Sequence, residues 1–129
     1  MQLTITTIIF GLPTGQRVLH TRLTLPVPTL PVRELIAHKV RQEVAECVAH
    51  QRSGLSGEYL SPELLVRAVP ETLVPGEVDA EIARAQGAFA ARDYMIVVDH
   101  RRVFDPEELI VLYPETQVEF IKILPLVGG

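Results

Sequence analysis

The chain has 129 residues, 47% of them hydrophobic, and a formal net charge of −4 at pH 7. That length fits one domain with a core, the apolar content excludes a disordered chain, and no apolar stretch reaches the roughly 18–20 residues that span a bilayer. With no basic run, no interleaved aromatics and no tryptophan, the acidic balance speaks against nucleic-acid binding, which needs clustered Lys and Arg. The single cysteine, Cys47, rules out an intrachain disulfide and suits a cytoplasmic protein. The start, MQLTITTIIFGLPTGQRV, lacks the basic region and long apolar core of a signal peptide.

The stretch 3–10, LTITTIIF, is rich in Ile and Thr and puts Leu3, Ile5 and Ile9 on one side, which predicts a strand. Residues 11–16, GLPTGQ, are a turn signal. In 17–25, Leu19, Thr21, Leu23 and Leu25 alternate with His20, Arg22 and Thr24, so the two strands form a hairpin. Pro31 suits a first helical turn, with Thr29 near the cap position. From Val32 to about Arg52 the period changes to helical, with Val32, Leu35, Ile36, Val40, Val44, Cys47 and Val48 on one face. Glu34, Lys39, Arg41, Gln42, Glu43 and Glu46 are assigned to the other face.

A helical insertion is expected over 53–93: one helix from Ser61 and Pro62, and a second through EVDAEIARAQGAFAARD with Val78, Ile82, Ala85 and Phe89 on one face. YMIVV (94–98) reads as a strand, DHRR (99–102) as a turn, and DPEELI (105–110) as a single helical turn capped by Asp105. YPET (113–116) is another turn, and QVEFIKIL (117–124) is the last strand. Its Val118, Phe120 and Leu124 lie on one side and Ile121 and Ile123 on the other. That pattern suits a central strand covered on both faces, or on one face plus a partner protein. The fold class is α+β, a small mixed sheet packed on one long helix.

The order hairpin, helix, strands, final strand resembles the β-grasp fold of ubiquitin-like proteins, in which the last strand sits centrally beside the first. MIVVDHRRV resembles the strand-turn-strand of the molybdopterin synthase small subunit and related sulfur carriers, and LYPETQVEF their turn into the final strand. LPLVGG resembles their exit tail and the diglycine tail of ubiquitin. His100 stands where those carriers have a turn Gly or Asn-Gly, and the insertion 53–93 is absent from the minimal carriers. The resemblance implies one ubiquitin-like domain over 1–129, ending in a flexible tail at 125–129.

It also implies chemistry. The activated group would be the Gly129 carboxylate, with Gly128 beside it and Pro125, Leu126 and Val127 recognised by the activating enzyme. A carboxylate must become an acyl-adenylate before a nucleophile attacks it. GLPTGQR lacks the Lys-Ser/Thr ending of a phosphate loop. No cofactor would be bound here, and ATP would be used by a separate ubiquitin-activating-type adenylating enzyme. Glycines let a tail thread a narrow channel, and residues 125–129 reach on the order of 15 Å when extended.

The expected role is a bacterial-type protein modifier conjugated to targets, a substrate of enzymes and not an enzyme. Its further partners would be a conjugating enzyme and a deubiquitinase-like metalloprotease. Two alternatives stand beside it. One is a sulfur carrier for molybdopterin, thiamine or tRNA thiolation, carrying a terminal thiocarboxylate. The other is a non-conjugated β-grasp binding subunit. Ten Arg against two Lys, Lys39 and Lys122, fits a modifier with few sites for modifying itself, or equally a GC-rich genome.

Leu25, Ile110, Leu112 and Leu124 are a candidate partner-binding patch, with core packing as the competing reading. His20, His38, His50 and His100 are too dispersed for a metal, since His38 and His50 would stand about 18 Å apart along one helix. Cys47 on the apolar stripe reads as structural. Asp99-His100 reads as a hairpin turn, and Glu107-Glu108 as a helix N-terminus.

Overall fold

The computed structural model describes residues 1–12, 15–52, 58–59, 67–68 and 75–124. Strands β1 (Gln2–Leu12) and β2 (Gly15–Thr24) form the hairpin, with Leu3 opposite Leu23 and Ile5 opposite Thr21. Leu3, Ile5, Ile9 and Leu23 are buried on one face, as the alternation requires. A short β3 (Thr29–Pro31) leads into α1 (Val32–Arg52). Thr29 lies in that strand and is no cap. The Val32 and Arg33 amides donate instead to the Glu108 and Pro106 carbonyls, at 3.0 and 2.9 Å, which satisfies two of the N-terminal helix donors with backbone.

Two-residue strands β4 (Glu58–Tyr59) and β5 (Arg67–Ala68) pair antiparallel. The helix expected from Ser61 lies outside the described residues, apart from Arg67–Ala68, which are extended. The second expected helix is α2 (Pro75–Ala90). It buries Ile82, Ala85 and Phe89 in the same core as α1. Gln86 Nε2 donates to the Arg33 carbonyl at 3.0 Å, tying α2 to the start of α1. The Tyr94 hydroxyl donates to the Ala85 carbonyl at 2.7 Å, and the Tyr94 ring stacks on Phe120.

Strands β6 (Met95–Val98) and β7 (Arg101–Val103) make a second hairpin. Its turn residues Asp99 and His100 both have positive φ, 47° and 67°, the pattern of the mirror-image turns that suit hairpin twist. The turn is therefore present at Asp99-His100 without glycine, while Arg101 and Arg102, also expected in it, belong to β7. Asp99 Oδ1 accepts from the Gln117 amide at 2.9 Å, and the Asp99 amide donates to the Gln117 carbonyl at 2.8 Å.

DPEELI is not a helical turn. Asp105 Oδ1 accepts from the Glu107 amide at 2.9 Å, closing a side-chain turn. The chain then extends into β8 (Leu109–Val111), which pairs with β3. The last strand, β9 (Val118–Ile123), lies inside a five-stranded sheet of order β2-β1-β9-β6-β7. It runs parallel to β1 and antiparallel to β6.

Candidate functional site at the end of the last strand

The parallel ladder sets where the chain leaves the sheet. It ends with Phe10 beside Ile123, and the Leu124 amide then donates to the Phe10 carbonyl at 2.9 Å. Leu124 is half-buried there. Pro125, Leu126, Val127, Gly128 and Gly129 lie outside the described residues. The structure thus describes the root of the segment that carries the expected reactive glycines.

Around that root the outer face of the sheet is apolar. Cross-strand register places Val18, Ile8, Ile121 and Met95 in one row, with Phe10 and Ile123 in the next. Phe10 is 38% and Ile123 61% exposed. These side chains point away from the face that carries Phe120, against which Lys39 of α1 and Tyr94 pack. The expectation of a β9 apolar on both sides is met, with Ile121 and Ile123 on the side facing away from the core.

Leu25, Ile110 and Leu112 form no exposed partner-binding patch. Leu25, Ile110 and Leu112 are 2%, 3% and 0% exposed. Leu25 follows the inward row of β2, and Ile110 points inward because β8 is a strand in which alternate residues turn outward. The exposed residues of that ribbon are Leu109 and Val111, with Val27 and Tyr113 close in sequence. Residues 109–112, LIVL, are an unbroken apolar run, so the sequence carried no alternation that separates the inward Ile110 and Leu112 from the outward Leu109 and Val111, and the helical expectation for 105–110 obscured the strand itself.

Helix α1 also departs from its expected facing. Lys39 is not on a solvent face. It is fully buried, ion-paired to the 95%-buried Glu43, and its ammonium lies 4.9 Å from the Phe120 ring centroid. At about 100° per residue, Lys39 and Glu43 fall between Leu35 and Val40, in the middle of the apolar stripe. The arithmetic was available in the sequence; assigning charge to solvent hid it.

Glu43 Oε2 and Thr7 Oγ1 are buried with no hydrogen-bond partner among the described residues. Burial pushes the Glu43 carboxyl above its usual range, more than Lys39 pulls it down. A carboxyl raised in the folded state binds a proton there more readily than in the unfolded chain. Its contribution to stability is therefore full below the unfolded pKa and declines as pH rises through the folded one. The expected result is a urea midpoint that falls as pH rises above the ordinary carboxylate range. In the Lys39→Met/Glu43→Leu double variant that part of the slope is absent.

Among the described residues no group of three or more His, Cys, Asp or Glu could hold a metal ion, and no helix is long and apolar enough to cross a membrane. Asp99 and His100 are turn residues, and Asp99 is held by Gln117. Cys47 and His50 lie in α1.

What the described residues define is an α+β fold in which a five-stranded mixed sheet with a central last strand packs with the helices α1 and α2. Comparison with family models, curated proteins and solved structures returns no match.

Proposed function

We propose that the chain is a ubiquitin-like protein modifier on a β-grasp fold, activated at Gly129 by a separate adenylating enzyme and conjugated to target proteins. The observation that carries the reading is the place of β9, central in the sheet and parallel to β1, with a helix following the first hairpin. That arrangement ends the last strand beside the apolar group of Phe10 and Ile123. It supports a body that docks by its outer face while the following residues enter the partner.

The chemistry belongs to the partner. A Gly129 carboxylate oxygen attacks the α-phosphorus of ATP, the bond to pyrophosphate breaks, and an acyl-adenylate forms. A thiol of the activating enzyme attacks the carbonyl and AMP leaves. A target amine then displaces the thiol, loses a proton and forms an amide. This chain contributes the carboxylate, a backbone that fits a narrow channel, and a surface to hold the enzyme.

The test is intact-mass spectrometry of the chain made in cells with its adenylating and conjugating partners, against a version lacking Gly129. Adducts through Gly129 that vanish in the truncation support the modifier. Exchange of a terminal oxygen for sulfur would replace it with the sulfur-carrier reading. An unmodified mass beside an active adenylating enzyme would overturn both and leave a binding subunit. The same spectrum reads whether the cellular chain carries residues beyond Gly129.

The outer face gives a separate expectation. Ile123→Asp, at a site 61% exposed but paired with Phe10, should cost about 1–2 kcal/mol of folding stability and leave the chain folded. It should raise the KM of the activating enzyme for this chain about tenfold, since apolar contacts at the centre of an interface dominate its energy. Steady-state kinetics beside a urea melt separates the two effects.

A further inference from the structure

The β1–β2 hairpin carries two glycines at positive φ, and they differ in what stands beside them. Gly11 has φ +91° and Gly15 φ +108°, a region that L side chains rarely adopt. A methyl group on Gly15 would meet nothing within 4 Å. A methyl group on Gly11 would stand 2.9 Å from the Leu124 carbonyl oxygen and 3.0 Å from Leu124 Cβ. The contact atom is backbone, so a rotamer change cannot relieve it. The β1 register shifts between Ile9 and Leu12, and such a bulge re-aims the strand locally. The Phe10 carbonyl, one residue before Gly11, accepts the Leu124 amide at 2.9 Å.

We propose that Gly11 is a positioning residue for the segment following Leu124. By having no side chain it lets β1 close on Leu124, and the Phe10 carbonyl then fixes Leu124 as the point from which that segment begins. The proposal rests on the reading that this segment is presented to an activating enzyme. Gly11 is not itself a catalytic residue. It acts through Leu124, and substitution should alter presentation of the carboxylate and leave its chemistry intact.

Gly15 supplies the control. Gly11→Ala and Gly15→Ala impose the same kind of backbone strain on the same hairpin, and only the first collides with Leu124. Amide hydrogen exchange is measured on both, with protection of the core strands as the reference for global stability. The expected result is that Leu124 loses about tenfold of its protection in Gly11→Ala and keeps it in Gly15→Ala. With the activating enzyme, Gly11→Ala should raise KM several-fold with kcat unchanged, the pattern of lost binding. Leu124→Pro, which removes the same donor from the other side, should reproduce that rise.

Equal Leu124 protection in the two glycine variants would overturn the proposal. So would a Gly11→Ala chain that fails to fold while Gly15→Ala folds, because Gly11 would then be a folding residue. An unchanged KM in Gly11→Ala, with the wild-type chain active, would overturn it as well. If the wild-type chain is not adenylated, the functional reading fails, and the exchange experiment still decides whether Gly11 seats Leu124.

Discussion

Glu43→Ala is expected to cost roughly 3–5 kcal/mol, the usual penalty for removing one partner of a buried ion pair. The reason is what it leaves behind. Lys39 is fully buried, Glu43 is its ion-pair partner, and the neighbouring group is the face of Phe120. A ring face attracts a cation, but does not replace a carboxylate in a dry core. A single domain holds only about 5–15 kcal/mol in total, so this loss takes a large share of it. Lys39→Met/Glu43→Leu should behave in the opposite way, neutral or more stable by about 1–4 kcal/mol, because both desolvation penalties vanish together. Urea unfolding with a constant slope measures both. A Glu43→Ala cost below about 1 kcal/mol would mean that the Lys39 stem swings its ammonium to water, and that the pair is not an obligate part of the core.

The same pair shows where reading from sequence succeeds and where it stops. The bounds of α1 were legible from the helical period that runs from Val32 to Arg52, while Pro31, expected in the first helical turn, ends β3 instead. Its facing was only half legible. Stripes are found by looking for apolar residues, and two charged ones in the stripe, Lys39 and Glu43, were assigned to the outside. They are tolerated inside because each neutralises the other. Local pattern also misled at Asp105-Pro106. An Asp before a Pro signals a helix start and a side-chain turn alike, since in both the carboxylate accepts a nearby amide. What decides is tertiary: residues 109–111 find a partner in β3, 78 residues earlier at the Leu109–Pro31 pair, and no local rule reports that.

The exit of the last strand was legible as a pattern and not as a site. Ile121 and Ile123 on the face opposite Val118 and Phe120 announced a strand apolar on both sides. Which residues stand beside them depended on register with β1 and β6, set by the whole sheet. Gly11 was legible only as a turn residue. Its proximity to Leu124, over a hundred positions away, arises because β9 inserts parallel to β1.

Gly129→Trp is expected to lower adenylate formation by at least two orders of magnitude, because displacing the reacting carbon by about 1 Å can already cost a hundredfold. A bulky side chain at the last position cannot follow the backbone through a channel made for glycine. ATP–pyrophosphate exchange with the partner enzyme measures the loss. The folded body should not notice, since every described core residue precedes Leu124, and the thermal midpoint should stay where it is. The kinetic form of the defect separates this position from Gly11. Gly129 carries the reacting carbon, so its replacement should strike kcat. Gly11 only seats the strand end, so its replacement should strike KM. Equal exchange rates for Gly129→Trp and the wild-type chain would remove Gly129 from the reaction. The outer-face apolar group would then belong to a partner that holds this protein without joining to it.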